Sequence, residues 1–171
     1  MLEISSGEST TMAVCFVDIV GYTARSRALS EEELVAWVEE FEATATGVAI
    51  DHGCRVIKTL GDAVLLVSDD PVAAAESALH LTLKGEDEDD PFPRVRAGLA
   101  VGPVVARLGD VFGPTVNLAS RLTTVARPGA VVLDDEAAES LSGGYSLRRL
   151  RRTSVKGYSR LQPWLLREVS V

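Results

Sequence analysis

The sequence predicts an α/β protein, more narrowly an α+β sandwich with a ferredoxin-like βαββαβ core and additional C-terminal strands. Three observations carry that expectation. Short apolar runs rich in β-formers are interleaved with two long stretches of helical periodicity, two of the runs are joined by a Gly-Asp turn, and the opening order reads β-α-β-β-α-β. The chain has 171 residues, 46% of them apolar, which suits one domain over residues 1–171 with its core at about 12–166.

"MAVCFVD", Met12 to Asp18, reads as a central strand. Ser30 precedes Glu33 by three residues, a capping box, and Leu34, Trp37, Val38, Phe41, Ala45 and Val48 follow at helical spacing up to Gly53. "CRVIKTL" and "AVLLVSD" read as two strands of a hairpin turning at Gly61 and Asp62. Pro71 opens a second helix, and the acidic run "GEDEDDPFP" after it reads as a solvated loop. "RVRAGLAVG" and "PVVARLG" read as two further strands, and "GPTVNLASRLTTVA" as a helix. The remainder is mostly strand, broken by a short helix "EAAESL".

Charge and composition exclude several classes. A net charge of −8, aromatics at 5% and no basic stripe argue against a nucleic-acid platform. The leader from Met1 is acidic and serine-rich, with no basic segment before an apolar stretch. No apolar run approaches the ~20 residues needed to span a bilayer, so a cytoplasmic protein without a membrane segment is expected. Cys15 and Cys54, the two cysteines, sit in strand-like runs and read as buried reduced thiols.

Asp18 and Asp62 each stand where a strand runs out, and the ferredoxin-like topology makes their strands neighbours. Two carboxylates beside a backbone carbonyl suit a two-metal site, because Mg²⁺ takes a few carboxylate oxygens and completes its shell with water and phosphate. Taken singly, each aspartate is more simply a turn or cap residue. "DIVGYTARS" adds backbone N–H groups around Gly21 that suit a phosphate-binding nest, and the chain contains no G-x-x-x-x-G-K-[ST] loop.

"FVDIVGYT", "VIKTLGDAVLL", "GDVFGPTVNLASRL" and "VKGY", in that order, resemble the catalytic domain of class III nucleotidyl cyclases, from about Met12 to Trp164. The resemblance implies the nucleotide cyclase fold and two Mg²⁺ or Mn²⁺ ions on Asp18, Asp62 and the Ile19 carbonyl. It implies base recognition by Lys58 and Asp110, and contacts to ribose and reacting phosphate from Asn117 and Arg121. Triphosphate contacts would come from Lys156 and from the segment Gly21, Tyr22 and Thr23. It also implies a homodimer with two composite sites, the metal aspartates from one subunit and Lys58, Asp110, Asn117, Arg121 and Lys156 from the other.

Residue chemistry agrees with that reading. Asn117 and Arg121, four apart on a helix, share a face, and arginine suits charge spread over phosphoryl oxygens. A donor at Lys58 and an acceptor at Asp110 complement N1 and N6 of adenine and mismatch guanine. ATP is therefore the expected substrate and cyclic AMP the product. A guanylate or dual-specificity cyclase is disfavoured by the same pair. A silent nucleotide-binding or dimerisation module would be marked by loss of a metal aspartate or of Arg121, and both are present. Three departures from relatives stand out: "GPVVARLGDVFGPTVN" is shorter where an arm often helps hold the dimer, Tyr22 replaces a common phenylalanine, and Tyr158 stands where a second lysine is frequent.

Overall fold

The structure, a computed structural model, describes residues 9–141 and 143–168; the acidic leader, residues 1–8, lies outside the described residues. Strand β1 (Ser9–Ile19) runs through the middle of the molecule. Ala13, Cys15, Val17 and Ile19 enter one core and Met12 and Val14 the other. Both faces are covered, so its sequence is continuously apolar instead of alternating. The chain continues through α1 (Tyr22–Ala28), α2 (Glu31–Asp51), β2 (Arg55–Thr59), β3 (Ala63–Ser68), α3 (Pro71–Glu86) and β4 (Val95–Arg107). Then come β5 (Asp110–Phe112), α4 (Pro114–Val125), β6 (Val131–Leu133), α5 (Asp135–Ser140), β7 (Tyr145–Arg149), β8 (Thr153–Val155), β9 (Tyr158–Leu161) and β10 (Trp164–Glu168).

The main sheet has the order β2-β3-β1-β4-β6-β10-β7, with β5 paired to β4. Its first four strands are each antiparallel to their neighbours in the ferredoxin-like order, and β6 joins β4 in parallel. On one face Phe41 and Ala45 of α2, Ala74 and Leu81 of α3 and Ala137 of α5 close a core. On the other, Ala119 and Leu122 of α4 pack with Leu161 and Tyr158 of the separate β8-β9 hairpin. The expected capping box is present: Glu33 N–H donates to Ser30 Oγ at 3.2 Å, and Ser30 N–H to Glu33 Oε1 at 3.1 Å. Asp70 caps α3 just before Pro71. Cys15 and Cys54 are free and buried, and burial raises both thiols above their ordinary pKa, Cys15 the further. No helix of the described residues is long and apolar enough to cross a membrane.

Four local expectations need correction. The segment after Gly21, read only as backbone suited to a phosphate nest, is a helix, α1; it is too short to show periodicity and is held by stacking of Tyr22 on Trp37 at 5.9 Å between ring centroids, with Arg25 5.6 Å over the same indole. The two strands expected around Pro103 are one, β4. Pro103 tolerates this because β6 pairs only with Ala97–Leu99 and the Pro103 carbonyl accepts from Thr115 Oγ1 at 2.8 Å, so its side without an N–H faces a helix and no strand bond is lost. The acidic run is anchored: Lys84 pairs with Asp90 at 2.6 Å, and Phe92 is buried against Phe41. Finally, the last apolar stretch divides at Gln162 and Pro163 into β9 and β10.

Candidate active site

Asp18 is the second-last residue of β1, paired with Ala63 on β3 and Arg96 on β4. Ile19 N–H donates to the Asp62 carbonyl at 2.7 Å, which ties the β2-β3 turn to the end of β1. The Ile19 carbonyl lies on that same side of the strand, past the last β1-β3 pair. Burial pushes the Asp18 carboxyl above its ordinary pKa; the charge of Asp62 adds to the rise, and Arg96 opposes it. Two crowded carboxylates and a carbonyl are hard oxygen donors of the kind Mg²⁺ and Mn²⁺ take, and a divalent cation offsets the repulsion between them. Among the described residues no group of three or more His, Cys, Asp or Glu side chains is placed to hold a metal ion, so further ligands would be backbone, water or phosphate oxygens.

Beside this end of the sheet, Gly21 is left-handed (φ 73°, ψ 23°), a conformation that favours glycine, and it caps the start of α1. Arg25 N–H bonds back to the Gly21 carbonyl, so the N–H groups of Tyr22 and Thr23 precede the first helical bond. The Tyr22 ring is engaged on Trp37, which leaves its backbone as the part available to a phosphate.

Lys58 and Asp110 are far apart in sequence, on β2 and β5. The structure brings them together: Lys58 Nζ donates to Asp110 Oδ2 at 3.0 Å. A bulge between Val56 and Lys58 shifts the β2 register next to the lysine. The hydrogen bond from Lys58, then that from Val111 N–H, hold the Asp110 carboxyl below its usual pKa.

Asn117 and Arg121 lie on α4, the first exposed and the second half-buried. What sets this helix is Gly98 on β4. A Cβ there would come within 2.4 Å of Thr123 N and 2.5 Å of the Ala119 carbonyl, so the α4 backbone rests directly on the strand. Sequence reading missed this role, although a glycine inside a strand pattern is itself a sign of close approach. Lys156 is exposed in the β8-β9 turn, and among the described residues no hydrogen bond or ion pair joins it to Lys58 or Asp110. Its hairpin is fastened to the start of α4 by Tyr158 OH, which donates to the Pro114 carbonyl at 3.2 Å.

Arg96 was also missed. Its Nη2 donates to Asp18 Oδ2 at 3.3 Å and its Nη1 to the Thr124 carbonyl at 3.4 Å, so it links the carboxylates to the end of α4. Alternation of basic and apolar residues in "RVRAGLAVG" marked it only as a half-exposed strand residue.

Comparison with known proteins identifies the family. Residues 4–168 match the family model of the adenylate and guanylate cyclase catalytic domain. An adenylate cyclase of Streptomyces coelicolor is 48% identical over 130 residues, 76% of this chain and 34% of that protein. One from Glutamicibacter nicotianae is 40% identical over 156 residues, 90% of this chain and 38% of that protein. The chain thus spans about a third of the length of these relatives. Among solved structures, the catalytic core of a rhodopsin-guanylyl cyclase with converted specificity, in complex with ATPαS, superposes with a TM-score of 0.88 at 25% identity, covering 96% of this chain and 99% of that one. The adenylyl cyclase CyaB from P. aeruginosa shares the fold, with a TM-score of 0.81 at 22% identity over 95% of this chain and 96% of that one. The ferredoxin-like core and the match along residues 4–168 agree, and this chain belongs to the adenylate and guanylate cyclase catalytic domain family.

Proposed function

We propose that this chain is an adenylate cyclase catalytic domain that converts ATP to 3′,5′-cyclic AMP and pyrophosphate in two composite sites of a homodimer. The observation that carries the choice of base is the Lys58–Asp110 pair at 3.0 Å, a donor and an acceptor already held side by side. Adenine offers an acceptor at N1 and a donor at N6 and satisfies both, whereas guanine leaves them mismatched. The adenylate cyclase names of the 40–48% identical relatives support the same choice.

In the reaction the 3′-oxygen forms a bond to the α-phosphorus, the bond from that phosphorus to the bridging oxygen of the β-phosphate breaks, and the hydroxyl proton passes to solvent. Two Mg²⁺ or Mn²⁺ ions on Asp18, Asp62 and the Ile19 carbonyl would supply a lowered hydroxyl pKa and neutralise polyphosphate charge. Arg121 stabilises the charge that develops on the phosphoryl oxygens, and Asn117, one turn earlier, orients the ribose. Gly21, Tyr22 and Thr23 offer backbone N–H groups, and Lys156 a cation, to the triphosphate.

Dimerisation is supported by the β4-β5 hairpin. Leu108 at its tip is 93% exposed and Phe112 51% exposed, apolar surface suited to a second copy. Leu108 also holds a left-handed φ of 52°, uncommon for a leucine. The test is cyclic nucleotide formation from ATP and from GTP, with Mg²⁺ and with Mn²⁺, beside Asp62→Ala. Cyclic AMP that disappears in the variant is the expected result; cyclic GMP as the main product, or no product from a folded dimer, overturns the assignment.

A further inference from the structure

A second concave site has none of the residues assigned to catalysis in its lining. It is a cavity of about 600 Å³, within the range of small-molecule pockets, between the end of α4 and the outer strands β6, β10 and β7. Its floor is apolar: Val132, Leu165 and Leu166 are buried, and Leu150 and Pro163 continue the surface. Its walls carry Arg127, Arg148, Arg151, Arg152 and Arg167, and among the described residues no Asp or Glu lines it.

That concentration runs against the rest of the molecule. The chain carries a net charge of −8, with 17 Lys and Arg in all, yet five of those line one cavity. Among the described residues these five make no ion pair, whereas Lys58, Lys84, Arg94 and Arg96 each have a carboxylate partner. The five arginines are exposed at the rim of one concavity, and like charges gathered there raise its potential and favour an anion. Guanidinium groups bind phosphate oxygens through two parallel N–H bonds, which makes a phosphorylated ligand the best match.

We propose that this cavity binds a nucleoside polyphosphate, the phosphates on the arginines and the nucleoside on the apolar floor, as an anion site distinct from the catalytic one. The volume suits such a ligand, and the floor would be wasted on inorganic phosphate alone. A ligand there touches Val125, one turn beyond Arg121 on α4, and so rests on the helix that carries the catalytic arginine.

The test is binding of ATP to the whole chain in EDTA, where the metal-dependent site is disabled and the arginine site is not. One ATP per protomer is expected, displaced by inorganic tripolyphosphate but with the nucleotide bound more tightly. The triple variant Arg148→Ser/Arg151→Ser/Arg152→Ser should weaken this binding by about tenfold or more while leaving turnover with saturating metal-ATP unchanged. Arg127→Ser/Arg167→Ser, on other elements of the wall, should do the same independently and guards against misfolding of either variant. The proposal is overturned if the wild type binds no ATP without metal or if both variants bind it as the wild type does. Equal affinity for tripolyphosphate removes the nucleoside from it. A variant that loses turnover together with binding makes the cavity part of the substrate site, and a variant that changes the oligomer's mass makes it a contact between copies; either result also overturns it.

Discussion

Arg96 and Asp18 face each other across the β4-β1 ladder and form an ion pair, Nη2 to Oδ2, at 3.3 Å. In the proposed two-metal site Arg96 is thus the cation that would compete with a divalent ion for Asp18. Arg96→Gln should therefore tighten Mn²⁺ binding a few-fold in the absence of nucleotide, while Asp18→Asn should abolish it. Titration calorimetry checks both, and unchanged Mn²⁺ affinity in Arg96→Gln would show that the pair does not oppose the metal.

Gly98 and Arg121 separate architecture from chemistry. Gly98→Ala places a methyl against the α4 backbone and should cost on the order of 1–3 kcal/mol of stability as the helix shifts, with loss of activity. Arg121→Ala should leave the melting temperature near that of the wild type and lower kcat by about 10²–10³-fold, the usual effect of removing a transition-state donor. Thermal melts and turnover on the two variants distinguish the roles; if Gly98→Ala melts like the wild type, the close helix-strand contact is not needed.

The Lys58–Asp110 pair is half-exposed and contributes little to stability, so substitution there should be read in specificity. Lys58→Glu with Asp110→Gly should lower kcat/KM for ATP and raise that for GTP relative to it. An unchanged ratio removes the pair from base recognition.

Asp134 gives the fold a pH dependence. Its carboxylate caps α5, accepting from Ala137 N–H at 2.9 Å and Val101 N–H at 3.3 Å, yet burial outweighs these bonds and raises its pKa to about 6. A carboxyl raised on folding contributes stability below its ordinary value of 3.8, and that contribution is lost as pH rises to about 6. Asp134→Asn keeps an acceptor without a charge, so its stability advantage over the wild type should grow across that interval. Asp134→Ala, which strands both N–H groups, should lose about 1–2 kcal/mol. Denaturant titrations at either end of the interval settle the sign; parallel curves for Asp134→Asn and the wild type would contradict it.

Composite sites predict complementation. Asp18→Ala and Arg121→Ala proteins, each with at most about a hundredth of wild-type activity, should on mixing regain roughly a quarter of it, because half the dimers are mixed and each holds one intact site of two. No recovery after verified subunit exchange would place each site within one chain.

Much of this was legible in one sequence because the signals were local. The continuous apolar run of β1, the Ser30–Glu33 capping box and Pro71 at the start of α3 each act within a few residues, and all stand in the structure as read. The candidate site was legible as residue types at ordered spacings: Asp18 before a glycine turn, Gly61-Asp62 in a hairpin, Asn117 and Arg121 on one helical face. Tertiary contacts decided the rest. Helix α1 exists because Tyr22 and Arg25 stack on a tryptophan from α2, and β4 passes through Pro103 because a helix, not a strand, lies on that side. Arg96 reaches Asp18, and Lys58 reaches Asp110, only through strand pairing and a bulge between segments distant in sequence. Periodicity reports which face of an element is buried; which side chains meet across two elements depends on register and close approach, and these are set only when the whole chain packs.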